Sequence, residues 1–210
     1  MKLSPAFGIA LPFIRLWHPY IRVACSGSFM LRIAIAVMFL FGALPAHATE
    51  AGWALLRNGG HVVLLRNAMT TGTVEPPNFD IEKCATQLNL SDRGRQQARK
   101  IGALFAARAA PVEKVLASRF CRTLETARLA FNDQVVEPLA ALDKPTEATA
   151  EVDVAAILEI IRNYSGSDNL VLVTHLENIQ ALTGAAAREG EALIVGLQGE
   201  RLHVLGRIVF

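Results

Sequence analysis

Three stretches of this sequence place polar residues directly after apolar runs that are typical of buried strands. The polar residues that follow these runs are Arg66, Asn67, Ser118, Arg122 and His175. A guanidinium group presents a planar fork of donors that matches the oxygens of a phosphate group. The free amides at the start of a helix, such as the one expected after His175, also favour negative charge. The pattern therefore predicts an oxyanion pocket built around Arg66, Arg122 and His175.

Apolar periodicity and turn residues predict an alternation of helices and strands that would bring these residues together. The predicted elements, in chain order, are a helix Trp53–Arg57, a strand His61–Leu65, a helix Asp92–Ala109 capped by Ser91, a strand Val112–Ala117, a helix Cys121–Phe131, a strand Gln134–Glu137, a helix around Val154–Ile161, a strand Leu170–Thr174, a short helix from Asn178 and a closing hairpin, Ala192–Gly196 with Leu202–Phe210. Such alternation favours a three-layer α/β fold with a mainly parallel sheet, helices on both faces and an antiparallel edge. Ligands of open α/β sheets bind at the carboxyl ends of the strands, where the polar residues lie.

The first 48 residues have the features of a leader. A basic start at Met30, an apolar run from Ile33 to Leu44 and the pattern Ala-His-Ala predict a signal peptide cleaved after Ala48. The alternative is an uncleaved membrane anchor, although the apolar run is shorter than the ~18 residues that favour a span. Cleavage would leave residues 49–210 as a single exported domain, expected in the periplasm and without a membrane span of its own.

The charge of residues 49–210 gives no support to nucleic-acid binding. Four of the 21 lysines and arginines precede residue 49, whereas all 19 acidic residues follow it, so the exported part carries a formal net charge of −2. The five histidines are scattered without the spacing of metal ligands. We therefore expect no nucleic-acid partner, no metal and no cofactor.

The exported part would keep two of the three cysteines, Cys84 and Cys121, because Cys25 lies in the leader. An even pair in an oxidising compartment favours a disulfide. Two buried free thiols are the alternative, since the sequence does not give the distance between them.

Four motifs in the correct order resemble those of the histidine phosphatase (phosphoglycerate mutase-like) superfamily. VVLLRNAMT resembles the first motif, L-x-R-H-G/A-x-T, and LSDRGRQQARKIG resembles the helix motif that comes after it. SRFCRTLETA is similar to S-x-x-x-R-x-x-x-T-A, and VTHLENI is similar to the second-histidine motif. The resemblance extends from about Gly60 to the C-terminus and implies a phosphoglycerate mutase-like fold. Together with the leader and Cys84, it suggests an exported bacterial branch.

The resemblance implies a role for each residue of the predicted pocket. In this superfamily the histidine after the first arginine attacks phosphorus, while the two arginines and the second histidine bind the transferred group. Carried over, Arg66 and Arg122 would hold phosphate oxygens and His175 would stabilise the developing charge. Asn67 occupies the nucleophile position. An amide nitrogen cannot attack, because its lone pair is delocalised, but it can donate a hydrogen bond to a phosphate oxygen.

Simpler structural roles remain open for the same residues. Arg66 would fit a surface ion pair, Arg122 a solvated helix position, and His175 a core position with backbone partners. The loop carboxylates Glu75, Asp80, Asp143 and Glu147 could reach the sheet edge, but most loop carboxylates face water and no motif identifies a general acid among them.

Two functional hypotheses compete. The first is a pseudoenzyme that binds a phosphorylated small molecule or glycan and is impaired or inactive in phosphomonoester hydrolysis. The second is an active exported phosphomonoesterase, either with an unconventional nucleophile such as His175 or because Asn67 is a sequence error or a recent lesion. A single base change converts a histidine codon into an asparagine codon. The sequence does not choose among glycolipid phosphates, sugar phosphates and nucleotides as ligands.

Overall fold

A computed structural model of the chain describes residues 44–199 and 201–210, in which five helices and six strands alternate. The helices are α1 (Leu44–Asn58), α2 (Asp92–Ala107), α3 (Cys121–Ala130), α4 (Ala150–Asn163) and α5 (Leu176–Thr183). The strands are β1 (Val62–Arg66), β2 (Val112–Ala117), β3 (Val136–Pro138), β4 (Asn169–Thr174), β5 (Ala192–Gln198) and β6 (Arg201–Ile208). The predicted start at Met30 and the apolar run of the leader up to residue 43 lie outside the described residues.

The six strands form one sheet in the order β3-β2-β4-β1-β5-β6. The pairs β2–β3, β2–β4 and β1–β4 are parallel, whereas β1–β5 and β5–β6 are antiparallel. The prediction of a mainly parallel sheet with an antiparallel closing pair is confirmed. The central position of β1 and β4 means that Arg66 and Thr174, which pair in register, lie side by side.

Both faces of the sheet are covered by helices, as the three-layer prediction requires. Alternate residues of β1 point to opposite faces because a strand has a side-chain period of two. One face packs against Trp53 of α1 and Ile101 of α2, and the other packs against Ile157 of α4 and Ile179 of α5. All four of these side chains are buried. The two cores hold the strands in one sheet, in which the carboxyl ends of the parallel strands β1, β2 and β4 lie at the same edge.

The predicted element boundaries differ from the structure mainly at α1. This helix begins at Leu44 rather than Trp53, because the residues up to Ala48 were assigned to the leader and residues 49–52 to no element. The predicted cleavage point after Ala48 lies within the helix and stays a prediction. Trp53, which enters the core, follows that point. Among the described residues, no helix combines the length and apolar character needed to cross a membrane.

Two glycines let α2 approach the elements that carry the site. A Cβ atom on Gly94 would lie 1.9 Å from the backbone oxygen of Met69, and one on Gly102 would lie 1.9 Å from that of Ala130 in α3. The helix begins as predicted, with Ser91 Oγ accepting a hydrogen bond from the Gly94 N–H. Residue types in α2 therefore fix the position of the segment that follows β1.

Residues 71–89, called the pocket loop below, connect β1 to α2. The loop is closed at its base by an antiparallel bridge between Thr70 and Leu90. Cys84 starts a 3-10 turn in the loop and forms a disulfide with Cys121, with 5.6 Å between the two Cα atoms. Because Cys121 is the first residue of α3, the disulfide attaches the loop to the helix that carries Arg122.

Candidate functional site

Polar side chains lie at the carboxyl ends of three neighbouring strands. Arg66 ends β1 and Asn67 follows it, Ser118 follows β2, and His175 follows β4. The Asn67 N–H donates a hydrogen bond of 3.0 Å to the Thr174 carbonyl, so β1 and β4 stay together beyond the end of β1. The parallel arrangement of these strands is therefore what collects the polar residues at one edge.

A cavity of about 460 Å³ opens at this edge of the sheet. Arg66, Asn67, Arg122 and His175 all line it. The structure thus brings together the four residues that the sequence analysis selected for an oxyanion pocket. It places His61 elsewhere, directly before β1 at the amino end of that strand.

Arg122 is buried at the floor of this cavity, with 5% of its surface exposed. Its Nη1 donates to the Glu75 carboxylate, and its Nη2 donates to His175 Nδ1 over 3.1 Å. The guanidinium carbon lies 4.6 Å from the centre of the Phe120 ring, within the range of a cation–π contact. Burial lowers the pKa of Arg122, and the Glu75 carboxylate opposes that shift. Arg122 is therefore a packed, paired residue rather than a solvated helix residue.

His175 is buried and neutral. Burial, followed by the positive charges of Arg122, Lys144 and Arg66, lowers the pKa of His175 well below its ordinary value. Because an arginine can only donate, Nδ1 must accept the hydrogen bond from Arg122. The ring hydrogen is therefore on Nε2, which lies 2.9 Å from Ser118 Oγ and donates to it.

Ser118 connects His175 to a carboxylate through hydrogen bonds. Its hydroxyl donates to Asp143 Oδ1 over 3.0 Å. Asp143 also accepts from the backbone N–H and the side chain of Arg119. Asn178 holds the segment in place by donating to the backbone oxygen of Asp143 over 2.7 Å. The hydrogen bonds from Arg122 through His175 and Ser118 to Asp143 fix both the ring orientation and the tautomer of His175.

Arg66 is held differently from Arg122. Its Nη1 donates to the Ala187 carbonyl over 2.7 Å, while its Nε is buried without a hydrogen-bond partner in the described part of the chain. No carboxylate among the described residues forms an ion pair with Arg66, so the surface ion pair considered from the sequence does not form. An unpaired buried donor costs free energy.

Asn67 has a side chain that already makes one local contact. Its Nδ2 donates to the Ala68 carbonyl over 3.0 Å, and the residue is 4% exposed. The following segment is held by Thr126 Oγ1, which accepts from the Ala68 N–H, and by Gln97, which accepts from the Met69 N–H. The backbone around Asn67 is therefore fixed from α2 and α3, both of which carry residues of the motifs found in the sequence.

Four further charged residues line the cavity, and of these the sequence indicated only Glu75, as a carboxylate within reach of the sheet edge. They are Glu75, Lys144, Glu177 and Glu189. Lys144 pairs with Glu177 over 3.0 Å, and Glu189 accepts hydrogen bonds from Thr70. A carboxylate in a polar loop carries no sequence signal for such a position, because its partners are distant along the chain. Within the described ranges, no group of three or more His, Cys, Asp or Glu side chains could hold a metal ion.

Part of the sequence matches a family model, and the fold matches solved structures. Residues 62–148 match the sequence model of the histidine phosphatase superfamily (branch 1). This range begins with β1 and includes Arg66, Asn67 and Arg122. The predicted resemblance to the histidine phosphatase superfamily is thus found over these residues. A comparison of the chain with curated proteins gives no match.

Solved structures of phosphatases share the fold. The protein histidine phosphatase SixA complexed with tungstate is 14% identical, with a TM-score of 0.54 over 70% of this chain and 96% of that one. Phosphoserine phosphatase from Entamoeba histolytica, in complex with 3-phosphoglyceric acid, is 11% identical, with a TM-score of 0.56 over 71% and 97%. The α-ribazole phosphatase from Shigella flexneri is 15% identical, with a TM-score of 0.51 over 69% and 94%. The likeness confirms the phosphoglycerate mutase-like fold.

The neutral state of His175 gives a testable pH dependence. The unfolded chain takes up a proton on His175 near pH ~6.5, whereas the folded chain does not until a lower pH. As the pH falls below ~6.5, the free energy of unfolding should therefore fall, by up to about 1.4 kcal/mol per pH unit from this residue. Urea unfolding of the wild type and of His175→Gln measures it, with a flatter dependence expected for the variant.

Nitrogen NMR of the imidazole ring checks the same point directly. A neutral ring with its hydrogen on Nε2, persisting below the ordinary histidine pKa, is the expected result. An ordinary titration of His175 in the folded protein would contradict the assigned tautomer and its hydrogen-bond chain.

Proposed function

We propose that this histidine phosphatase superfamily domain binds a phosphorylated small molecule or glycan and is impaired or inactive in phosphomonoester hydrolysis. The observation that supports it is the convergence of Arg66, Asn67, Arg122 and His175 on one cavity. Two guanidinium groups and a fixed imidazole suit an oxyanion, and Asn67 can add a donor from its amide. The tungstate bound by SixA is likewise an oxyanion, although that ligand is a property of that protein.

Arg66 has the most available donors for such a ligand. Its buried Nε has no partner, so a ligand oxygen at that atom would remove an existing cost rather than replace a contact. His175 lies beside Arg122 and is neutral. The positive charge available to a ligand in this cavity therefore comes from the two arginines and Lys144 and not from the imidazole ring.

The impairment rests on Asn67. Covalent phosphoryl transfer by the route of the superfamily needs an imidazole nitrogen at the position that Asn67 occupies by resemblance. No amide can replace it near neutral pH, because the nitrogen lone pair is delocalised into the carbonyl. The site would then hold a phosphate group without attacking it.

Removing either arginine should weaken anion binding. We expect Arg66→Ala and Arg122→Ala each to reduce the affinity for inorganic phosphate by about 1.5–3 kcal/mol, the range of charge-assisted hydrogen bonds. Isothermal titration calorimetry measures this change. Arg128→Ala is the matched control, since Arg128 is exposed on the same helix as Arg122. Unchanged affinity in both pocket variants would remove the oxyanion assignment.

Restoring a histidine should restore turnover. We expect residues 49–210 to show negligible hydrolysis of an aryl phosphate, and Asn67→His to show at least partial recovery because it supplies the nucleophile. The double variant Asn67→His/Arg122→Ala should lose the recovered activity if turnover uses this cavity. Phosphate release assays measure all three proteins. A folded Asn67→His protein without turnover would show that the site lacks more than its nucleophile.

The competing function is an active phosphomonoesterase with His175 as an unconventional nucleophile. It would require His175 Nδ1 to give up its hydrogen bond with Arg122 and attack phosphorus, while the bond from phosphorus to the ester oxygen breaks and the alcohol leaves. Hydrolysis by the unmodified protein that disappears in Arg122→Ala would favour this function over the first one. Resequencing the gene at codon 67 separates it from a sequence error.

We also propose that residues 49–210 act in an exported, periplasmic location. The disulfide between Cys84 and Cys121 supports this, since disulfides persist in oxidising compartments. Protein recovered from the periplasm should begin at Thr49, and reduction should lower its free energy of unfolding by about 3–4 kcal/mol. Mass spectrometry and urea unfolding measure these, with Cys84→Ser/Cys121→Ser as the reductant-insensitive control. Recovery in the cytoplasm with both thiols free would contradict the location.

A further inference from the structure

The Glu75 carboxylate lies against Arg122 inside the cavity. Its Oε1 accepts from Arg122 Nη1, and its Oε2 accepts from the Leu88 N–H over 2.9 Å. The Glu75 side chain is 21% exposed, so this ion pair is largely withdrawn from water. A carboxylate on a guanidinium group makes the same kind of contact that a phosphate oxygen would make.

The contacts of Arg122 leave few donors for a ligand. Nη1 donates to Glu75 and, over 3.4 Å, to the Leu88 carbonyl, while Nη2 donates to His175. Two-pronged binding of phosphate by a guanidinium group needs two parallel N–H donors on one edge. A ligand that uses Nη1 must therefore take it from Glu75.

The pocket loop presents Glu75 through contacts of its own with α3. The Phe79 ring stacks on Phe120 with 5.1 Å between ring centres. The Cys121 N–H donates to Gln87 over 2.9 Å, and Cys121 is joined to Cys84 by the disulfide. These contacts place the loop independently of the Glu75–Arg122 pair. The carboxylate is thus delivered to Arg122 by the fold of the loop.

Lys144 and Arg66, the other two cations that line the cavity, are paired differently from Arg122. Lys144 pairs with the half-exposed Glu177, whereas Arg66 pairs with no carboxylate among the described residues. An incoming oxyanion therefore meets Arg66 without competition and meets Arg122 only after exchange with Glu75.

We propose that Glu75 is an internal competitor for the oxyanion site and must leave Arg122 before a phosphate group can be held by both arginines. The inference rests on the proposed function, because it assumes that the cavity binds an oxyanion. Glu75 then lowers the affinity for small anions such as inorganic phosphate, which have no further groups to contact the pocket loop.

The variant Glu75→Gln tests this without removing the shape of the side chain. A glutamine has a single acceptor oxygen, so it keeps one of the two hydrogen bonds that Glu75 accepts, from Arg122 or from Leu88, and the charge is lost. We expect Glu75→Gln to bind inorganic phosphate about tenfold more tightly than the wild type, because a neutral hydrogen bond is about half as strong as a charge-assisted one. Calorimetry on the purified, disulfide-bonded protein measures the two dissociation constants.

Two further proteins make the result specific. Glu147→Gln removes a charge from an exposed loop position and should leave phosphate affinity unchanged. Glu75→Gln/Arg122→Ala should bind no more tightly than Arg122→Ala alone, since the gain depends on the freed Arg122. In the wild type, the Leu88 amide resonance should shift on phosphate binding, because Glu75 Oε2 leaves it.

The outcomes distinguish a failure of the role of Glu75 from a failure of the proposed function. Equal or weaker phosphate binding by Glu75→Gln, with binding still weakened in Arg66→Ala and Arg122→Ala, overturns the role of Glu75 and leaves the proposed function standing. Absence of phosphate binding in both the wild type and Glu75→Gln overturns both proposals. A gain that persists in the double variant also overturns the role of Glu75, since it would not act through Arg122.

Discussion

The burial of one guanidinium group organises this site. Arg122 carries a permanent charge at 5% exposure, and a charge so far from water is tolerated only when its donors are paired. Its partners come from two distant parts of the chain, His175 at the end of β4 and Glu75 in the pocket loop. Each partner then needs its own support, which Ser118 provides for His175 and the disulfide provides for the loop. The surrounding architecture follows from keeping Arg122 paired.

Local chemistry was enough to predict most of the fold. Apolar runs rich in β-branched residues marked β1 and β4, and Ser91 marked the first turn of α2, because these signals act within a few residues. The order of the strands could not be derived in the same way, since it depends on how each helix crosses the sheet. The start of α1 was misplaced because the residues up to Ala48 were assigned to the leader and residues 49–52 to no element.

Residues of the candidate site that follow a buried strand could be predicted from the sequence. Residues of the site that lie in loops could not. Arg66 and His175 were selected because strand ends meet at one edge of a parallel sheet. Glu75 and Asp143 were seen only as carboxylates able to reach that edge. Nothing local distinguishes a loop carboxylate that faces water from one that pairs with a buried arginine, since the difference lies in tertiary contacts. Motif residues such as Gln97 gained a physical role only when the structure showed what they hold.

The bridge between Thr70 and Leu90 has a consequence for how such a chain can diversify. It fixes the two ends of the pocket loop side by side, so the loop is a closed excursion from a rigid base. Lengthening a closed loop costs little, about 0.6 kcal/mol for each doubling, because closure entropy grows only logarithmically. Insertions and deletions between these two residues can therefore accumulate over evolutionary time without disturbing the sheet register. New ligand preferences can arise by changes in this one segment, as long as a carboxylate at the position of Glu75 still pairs with Arg122.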